Sequence, residues 1–429
     1  MKTRRQLLAG IGTAGAASLA GCSSLPFGDE DTDDPDVDVP AGTVEPIEWP
    51  VSPYPITVPT AISASHRQRA RELLDDVPAD PSIPNQAVAD ELASERERAE
   101  RLDEEPEDPW ALERLSEWRG RRGSAANVLA AYRAATGEDD GPDIADRRRT
   151  LRRELGSFAA DYDYRAAATR EAVLAHAPIE DLLSSTRRRL SPDPGYPDEP
   201  LAAPFQAGDA AERIEVAAAT LSDARRLRTA YLDARSNAPA RWESLIDASD
   251  RLHFAVRRTR STVSGFLGRT ESPFDRDLEG TAAERLFQEA AQEVETLAED
   301  VTSFRADGQY ANAVIAAGRT LAAVEALRAV IIGIREETYI DDVTVDSVER
   351  TAQRAQDALA AVEETDTGRL ATAIVRPVLA TYEYAVYRVR DDHEYAARLQ
   401  GDLAWVELYA RAVPAATEFV VERLDVADG

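Results

Sequence analysis

Apolar residues recur at helical spacing through most of the chain from residue 60 onward, and no stretch alternates apolar and polar residues as a strand would. The clearest pattern is a pair of apolar segments joined at Asp307 and Gly308. Residues of the first arm recur at intervals of four, four, three, four and three: Leu286, Ala290, Val294, Leu297, Val301 and Phe304. This spacing predicts an antiparallel, coiled-coil-like hairpin over residues 281–338. We therefore predict an all-α protein built from multi-helix bundles of long antiparallel helices.

Turn signals and prolines divide this pattern into segments. The predicted helices cover approximately residues 61–76, 85–101, 109–136, 144–189, 209–236, 239–267, 281–305, 310–338, 345–364, 368–391, 394–412 and 414–424. The helix from Ile144 is expected to be interrupted near Pro178. A cluster of prolines marks the strongest internal boundary, which predicts an N-terminal helical subdomain over 60–190, a proline-rich linker over 191–208 and a C-terminal helical bundle over 209–429.

An apolar run over residues 7–20 lies after two adjacent arginines, Arg4 and Arg5, and ends in the sequence Leu-Ala-Gly-Cys at Cys22. The run is shorter than the roughly 20 residues that cross a bilayer as a helix, and positive residues before it favour export of the remainder of the chain. Glycines dilute the run, which is typical of a twin-arginine export signal. We predict a signal peptide over residues 1–21, with Arg4 and Arg5 as its export signal.

The segment that begins at Cys22 is first acidic and then rich in proline. Like charges repel and prolines favour an extended backbone, so we predict a stiff tether over residues 22–59. Trp49 and Tyr54 lie near its end, and their large apolar surfaces predict that this end docks on the folded body.

The chain carries 79 acidic residues against 50 basic ones, its formal net charge is −29, and Lys2 is its only lysine. Such acidity argues against nucleic acid as a partner, because the phosphate backbone is also negative. The twin arginines, the Leu-Ala-Gly-Cys box and the acidic, lysine-poor composition together resemble haloarchaeal Tat-exported lipoproteins. The resemblance implies that Cys22 carries a lipid and that the mature protein stands on the extracellular face of the cell membrane. It supplies no catalytic residue for the rest of the chain.

Candidate catalytic and metal-binding residues are few. The four histidines lie in separate segments, without the spacings typical of zinc or di-iron sites. The nearest approach to a metal site is Asp250 and His253, which share a helical face with Glu243 and Asp247, although a solvated helix surface explains the same spacing. No nucleotide-binding loop or nucleophile motif is present in the sequence. We therefore predict no catalytic residues and no cofactor.

Two arginine clusters interrupt the acidic sequence, one at residues 147–149 with 152–153 and the other at 187–189. Guanidinium groups are suited to bind phosphate or an anionic headgroup. The excess of carboxylates in the chain makes internal ion pairing the simpler expectation for both clusters.

The C-terminal region holds the densest group of aromatic residues: Tyr382, Tyr384, Tyr387, Tyr395, Trp405 and Tyr409. Tyrosines two residues apart on a helix cannot all face one core, so some are expected at the surface. We single out Tyr384, Tyr387, Arg388 and His393 as a partly exposed binding patch, because aromatic and arginine side chains dominate interface energies. The alternative is that the tyrosines line the margin of the core. Pro377 is expected to bend this helix and to open a cleft.

These patterns favour a membrane-anchored extracellular lipoprotein that acts as a binding or scaffolding module at the cell surface. Its expected partners are the membrane, through the lipid on Cys22, and a cell-surface protein. Two alternatives stay open. One is a helical solute- or metal-binding receptor associated with a transporter, and the other is an enzyme whose site carries no recognised motif.

Overall fold

The computed structural model describes residues 39–428 with the exception of 236, 270–271, 342, 366 and 391–395. The signal peptide with Arg4 and Arg5, the lipidation site Cys22 and the patch residue His393 lie outside the described residues. Within the described part, the protein contains twelve α-helices and no β-sheet, so the all-α prediction is confirmed. None of these helices is both long enough and apolar enough to cross a membrane.

The helices are α1 (Thr60–Asp75), α2 (Gln86–Ala99), α3 (Ala111–Ala135), α4 (Gly141–Ala160), α5 (Thr169–Arg189), α6 (Pro204–Asp233), α7 (Trp242–Ser261), α8 (Ala282–Ala306), α9 (Tyr310–Arg335), α10 (Val345–Glu363), α11 (Gly368–Arg390) and α12 (Ala396–Asp428). A short 3₁₀ turn, Ser264–Phe266, comes after α7. All of them belong to one compact unit.

Helix α6 organises the N-terminal set of helices, α1 to α6, because α3, α4 and α5 all pack along it. Two glycines allow α3 and α6 to approach closely. A Cβ atom on Gly123 would lie 2.4 Å from Cγ2 of Val216, and one on Gly208 would lie 2.6 Å from Oδ1 of Asn127. Both distances are shorter than side-chain atoms tolerate, so these positions admit no side chain without displacement of their neighbours.

Helices α8 and α9 form the predicted antiparallel hairpin, and α12 packs against both of them and against α10 and α11. The Thr281 hydroxyl accepts a hydrogen bond from the backbone N–H of Glu284, which caps α8. Gly308 turns the chain between the two arms with a φ of +73°, a left-handed conformation that glycine adopts without strain. The coiled-coil-like hairpin is therefore confirmed.

Two prolines do not end helices as the sequence suggested. Pro178 lies inside α5, and Pro414 lies inside α12, which joins two predicted helices into one. A proline removes one backbone hydrogen bond, but tertiary packing of the residues around it can offset that loss. The interruption expected near Pro178 instead occurs at residues 161–168, between α4 and α5.

The division between the two sets of helices differs from the predicted one. Helix α6 begins at Pro204, inside the predicted linker 191–208, and packs on α3 and α5. It therefore belongs with the N-terminal helices, and the change to the C-terminal set, α7 to α12, falls at residues 234–241.

The described part of the predicted tether, residues 39–59, packs on the helical body instead of standing away from it. Trp49 contacts Trp110 edge to face, with 5.4 Å between ring centroids, and the Trp110 indole donates to the carbonyl of Pro50 at 2.8 Å. Tyr54 is buried and packs against the same indole. The expected docking of Trp49 and Tyr54 is thus confirmed, and Val44 is buried as well.

Candidate binding surface

Helix α11 carries the predicted aromatic patch, and its residues divide between surface and interior. Tyr384 and Tyr387 are 48 % and 45 % exposed, and their separation of three residues places them on one face of the helix. Arg388 is only 7 % exposed, so the expectation that it is partly exposed is wrong. We call the exposed pair Tyr384 and Tyr387 the α11 tyrosine surface.

Arg388 is buried because a buried carboxylate lies beside it. Its guanidinium donates to Oδ2 of Asp402 on α12 at 3.0 Å, and Arg285 on α8 donates to Oδ1 at 2.8 Å. Since Asp402 is itself buried, the two arginines supply the charge that it needs. The Arg388 guanidinium also lies 5.0 Å from the ring centroid of Tyr384, which supports that ring from the protein side.

The other described aromatic residues of the region belong to the core. Tyr382, Trp405 and Tyr409 are almost fully buried. The Tyr382 hydroxyl donates to the carbonyl of Glu45 at 2.8 Å, so this tyrosine also fastens the segment before α1. The alternative that placed tyrosines in or beside the core therefore applies to these residues but not to Tyr384 and Tyr387.

Asp250 and His253 do share a face of α7, but the carboxylate of Asp250 accepts a hydrogen bond from Arg305 on α8. Asp247 pairs with Arg251 one turn away. Partial burial and the nearby arginines lower the pKa of His253. Among the described residues, no three His, Cys, Asp or Glu side chains come together as metal ligands would.

A network of buried charged residues joins α1, α3 and α6, and no motif in the sequence predicted it. The Nε2 atom of His66 lies 3.1 and 3.0 Å from the two carboxylate oxygens of Asp223, and Arg119 donates to the same carboxylate at 3.0 Å. On the other side of the imidazole, Arg122 lies 3.4 Å from Nδ1 and also donates to Glu215. A histidine–aspartate pair can activate a nucleophile, but here a guanidinium faces the second ring nitrogen. The arrangement is suited to holding helices together.

A second buried network lies where α5 meets the start of α9. The Glu180 carboxylate accepts hydrogen bonds from the Tyr164 hydroxyl and from the backbone N–H groups of Ala311, at 3.1 Å, and Asn312, at 2.7 Å. Burial raises the pKa of Glu180 to about 8, although these three donors act in the opposite direction. Glu180 thus links the two sets of helices by binding the N-terminus of α9.

The same region contains a buried histidine among aromatic rings. His176 Nδ1 lies 2.6 Å from the Tyr162 hydroxyl, and its ring stacks at an angle on Tyr164 with 5.1 Å between centroids. Burial lowers the pKa of His176 to about 4, so its imidazole is neutral at pH 7. Trp242 and Tyr310 extend the aromatic contacts outward toward the surface.

The comparisons with known proteins show the same division of the chain. Residues 61–238 match a family model described as "Domain of unknown function (DUF8262)", and residues 242–422 match a second model described as "Domain of unknown function (DUF8264)". The boundary between the two matches coincides with the segment between α6 and α7. No curated protein and no solved structure matches the chain.

Proposed function

We propose that this chain is a lipid-anchored helical module on the extracellular face of the cell membrane, and that it binds a protein partner through the α11 tyrosine surface. The observation that carries the proposal is the exposure of Tyr384 and Tyr387 side by side on one helix face. Their neighbour Tyr382, two residues before, is fully buried. Helix α11 thus buries one tyrosine in the core and leaves two others exposed on its outer face.

Tyrosine suits such a surface because it offers a large apolar area with little loss of side-chain entropy, and its hydroxyl can form a hydrogen bond. The helix below the pair is fixed by Arg388, Asp402 and Arg285, whose ion pairs connect α11, α12 and α8. A partner would therefore meet a preorganised surface, and little ordering would be needed on binding.

The acidic composition favours an aromatic contact over a charged one. At molar salt the electrostatic screening length is about 3 Å, so charges across an interface attract weakly unless they touch. Burial of apolar area is not screened by salt. A protein adapted to molar salt would therefore bind a partner through apolar side chains such as Tyr384 and Tyr387.

We expect a photo-cross-linker placed beside the α11 tyrosine surface to capture one discrete protein partner in isolated membranes. Cys22 is the only native cysteine and is expected to be lipidated, so Ala380→Cys, at an exposed position one turn before Tyr384, supplies the free thiol for a maleimide–benzophenone reagent. Adding Tyr387→Ala should reduce the cross-linked product about tenfold or more, because truncation of a central aromatic residue typically costs about 2 kcal/mol or more of binding energy. The thermal midpoint should stay nearly unchanged, since Tyr387 is half exposed.

Phe254→Cys is the matched control, because Phe254 is an aromatic residue that is 70 % exposed on a different helix, α7. The same reagent on Phe254→Cys should give none of the product seen from Ala380→Cys. Identical products from both positions, or a product that survives Tyr387→Ala in full yield, would rule out the α11 tyrosine surface as the docking site.

The anchor is tested separately. Cys22→Ser should move the protein from the membrane fraction to the soluble fraction, because the two acyl or alkyl chains that hold it would be absent. Replacing Arg4 and Arg5 by lysine should block export if the twin-arginine route is used, and it serves as an independent check of the signal. Full retention of Cys22→Ser in the membrane fraction would contradict lipid anchoring.

A further inference from the structure

Four arginines from three helices lie near the loop between α5 and α6, and their charges act on one another: Arg152 and Arg213 on Arg148, and Arg213 on Arg189. Arg148 and Arg152 are one turn apart on α4, so they share a face. Arg152 donates from Nε and Nη2 to the carbonyl of Leu190, at 3.1 and 2.5 Å, just after α5. Arg213 on α6 donates to the carbonyl of Pro194 at 3.3 Å, and Arg189 is the last residue of α5. We call Arg148, Arg152, Arg189 and Arg213 the Arg148 cluster.

Internal ion pairing was the simpler expectation for these basic segments, and it is only partly confirmed. Arg147 pairs with the buried Glu215 at 2.5 Å, and Arg149 pairs with Asp146 on its own helix. Arg148 lies between these two and differs from both. Its Nε and Nη2 atoms are shielded from solvent, and no hydrogen-bond acceptor among the described residues contacts them. A buried hydrogen-bond donor without an acceptor lowers the stability of a protein. We therefore expect Arg148 to bind an acceptor that the described residues do not supply.

The charged groups around Arg148 favour an anionic ligand. Burial, and then the positive charges of Arg152 and Arg213, lower the pKa of Arg148. Burial also lowers the pKa of Arg189, and Glu212 is the carboxylate that opposes this shift. The C-terminus of α5 contributes roughly half a negative charge. The charged groups that act most strongly on Arg148 are therefore themselves positive, which favours an anionic ligand beside it.

We infer that the Arg148 cluster binds a tetrahedral oxyanion, and that its ligand is a phosphate group. Guanidinium forks match phosphate oxygens in pairs, and arginines on separate helices can approach a phosphate from several sides. The phosphate has two sources at a membrane surface, inorganic phosphate in the medium and the phosphate of a lipid headgroup. This site is on the N-terminal set of helices and does not depend on the α11 tyrosine surface.

The first experiment measures the thermal midpoint of the detergent-solubilised full chain in phosphate and in chloride at equal ionic strength. Wild type should gain about 2 °C or more in phosphate, since a ligand that binds the folded state raises its stability. Arg148→Gln should lose this gain while keeping its helicity. Arg153→Gln is the matched control on the same helix, because Arg153 is exposed and donates to the Thr150 hydroxyl. It should respond to phosphate like wild type.

The second experiment identifies the source. Cys22→Ser protein, without its lipid, is sedimented with phosphatidylglycerol vesicles, alone and in the Arg148→Gln background. Sedimentation that requires Arg148 assigns the site to a headgroup, whereas a phosphate gain without sedimentation assigns it to the free anion. If Arg148→Gln itself unfolds, Arg213→Gln replaces it in both experiments.

Two results would overturn the inference. One is a wild type with neither a phosphate gain beyond chloride nor Arg148-dependent sedimentation. The other is a folded Arg148→Gln protein that retains the full response of wild type, because the phosphate response would then not depend on Arg148.

Discussion

Replacing Asp223 by alanine should lower the free energy of unfolding by about 3–5 kcal/mol. The Asp223 side chain is fully buried and is the acceptor for both His66 and Arg119. Its removal leaves the charge of Arg119, itself 8 % exposed, inside the protein without a counter-ion. The expected loss of stability measures the cost of a buried Arg119 charge without a counter-ion. It does not measure the net contribution of the intact network to stability.

Urea unfolding monitored by circular dichroism at fixed salt measures this effect. Asp103→Ala is the matched control, because Asp103 also forms an ion pair with an arginine, Arg71, at 2.6 Å, but is 90 % exposed. Exposed pairs contribute about 0–1 kcal/mol, so the control should change stability little. Equal, small losses from the two substitutions would show that water or a rearranged side chain replaces the Asp223 carboxylate.

The helices were predictable because their signal is local. The apolar spacing of the α8–α9 hairpin lies within about 50 residues, and the turn at Gly308 and the cap at Thr281 have their own sequence signatures. Prolines led to wrong boundaries where packing overrides a local rule. Pro178 has buried neighbours on both sides in α5, and that packing has no counterpart in the local sequence pattern.

The division into two sets of helices was misplaced for a related reason. The prolines of 191–208 are a strong local signal, whereas the attachment of α6 to α3 depends on two glycines far apart in the chain. Nothing in the local sequence distinguishes Gly123 and Gly208 from other glycines. Their role is apparent only in the packed structure, where α3 and α6 are in contact. The proline-rich composition therefore identified the loop between α5 and α6, but that loop is not the boundary between the two sets of helices.

The sequence predicted that some of the α11 tyrosines are exposed, but it did not predict which neighbouring charged residues are buried. Helical geometry required that some of the tyrosines between residues 382 and 387 face outward, and Tyr384 and Tyr387 do so. The burial of Arg388 depends on Asp402 and Arg285, and the burial of Asp223 depends on His66, which is 157 residues away. Asp223 shares a helical stripe with the buried residues Val216, Thr220 and Leu227, and a lone charge in that stripe was the available signal.

Glu180 provides a second prediction, because its hydrogen bonds accommodate both of its protonation states. When the carboxylate is ionised, the Tyr164 hydroxyl donates to it. When it is protonated, it can donate to the Tyr164 oxygen, and the Tyr164 hydroxyl can donate to the carbonyl of Gly308, which lies 3.0 Å away. The buried site therefore holds a proton at neutral pH without leaving a donor unpaired.

The raised pKa fixes the sign of the pH effect. The pKa of Glu180 is about 8 in the folded state and 4.5 ordinarily, so between these values the folded chain holds a proton that the unfolded chain has lost. Stability therefore falls as pH rises through this window. His176 acts oppositely, because its folded pKa of about 4 lies below its ordinary 6.5, and its contribution to stability falls as pH drops below 6.5. Above pH 6.5 the Glu180 effect is unopposed by His176.

We expect wild type to lose about 2 kcal/mol of stability, relative to Glu180→Gln, between pH 6.5 and 8, since each pH unit of linkage is worth about 1.4 kcal/mol. Glutamine cannot ionise, so that variant lacks the slope. Glu171→Gln is the matched control on α5: hydrogen bonds from Arg235 and the Ala167 amide outweigh burial and lower the pKa of Glu171, so its substitution should shift stability equally at all pH values in this range. Urea unfolding at intervals of about half a pH unit measures all three proteins. A constant difference between wild type and Glu180→Gln from pH 6.5 to 8 would mean that Glu180 is ionised in the folded protein and that its three donors outweigh its burial.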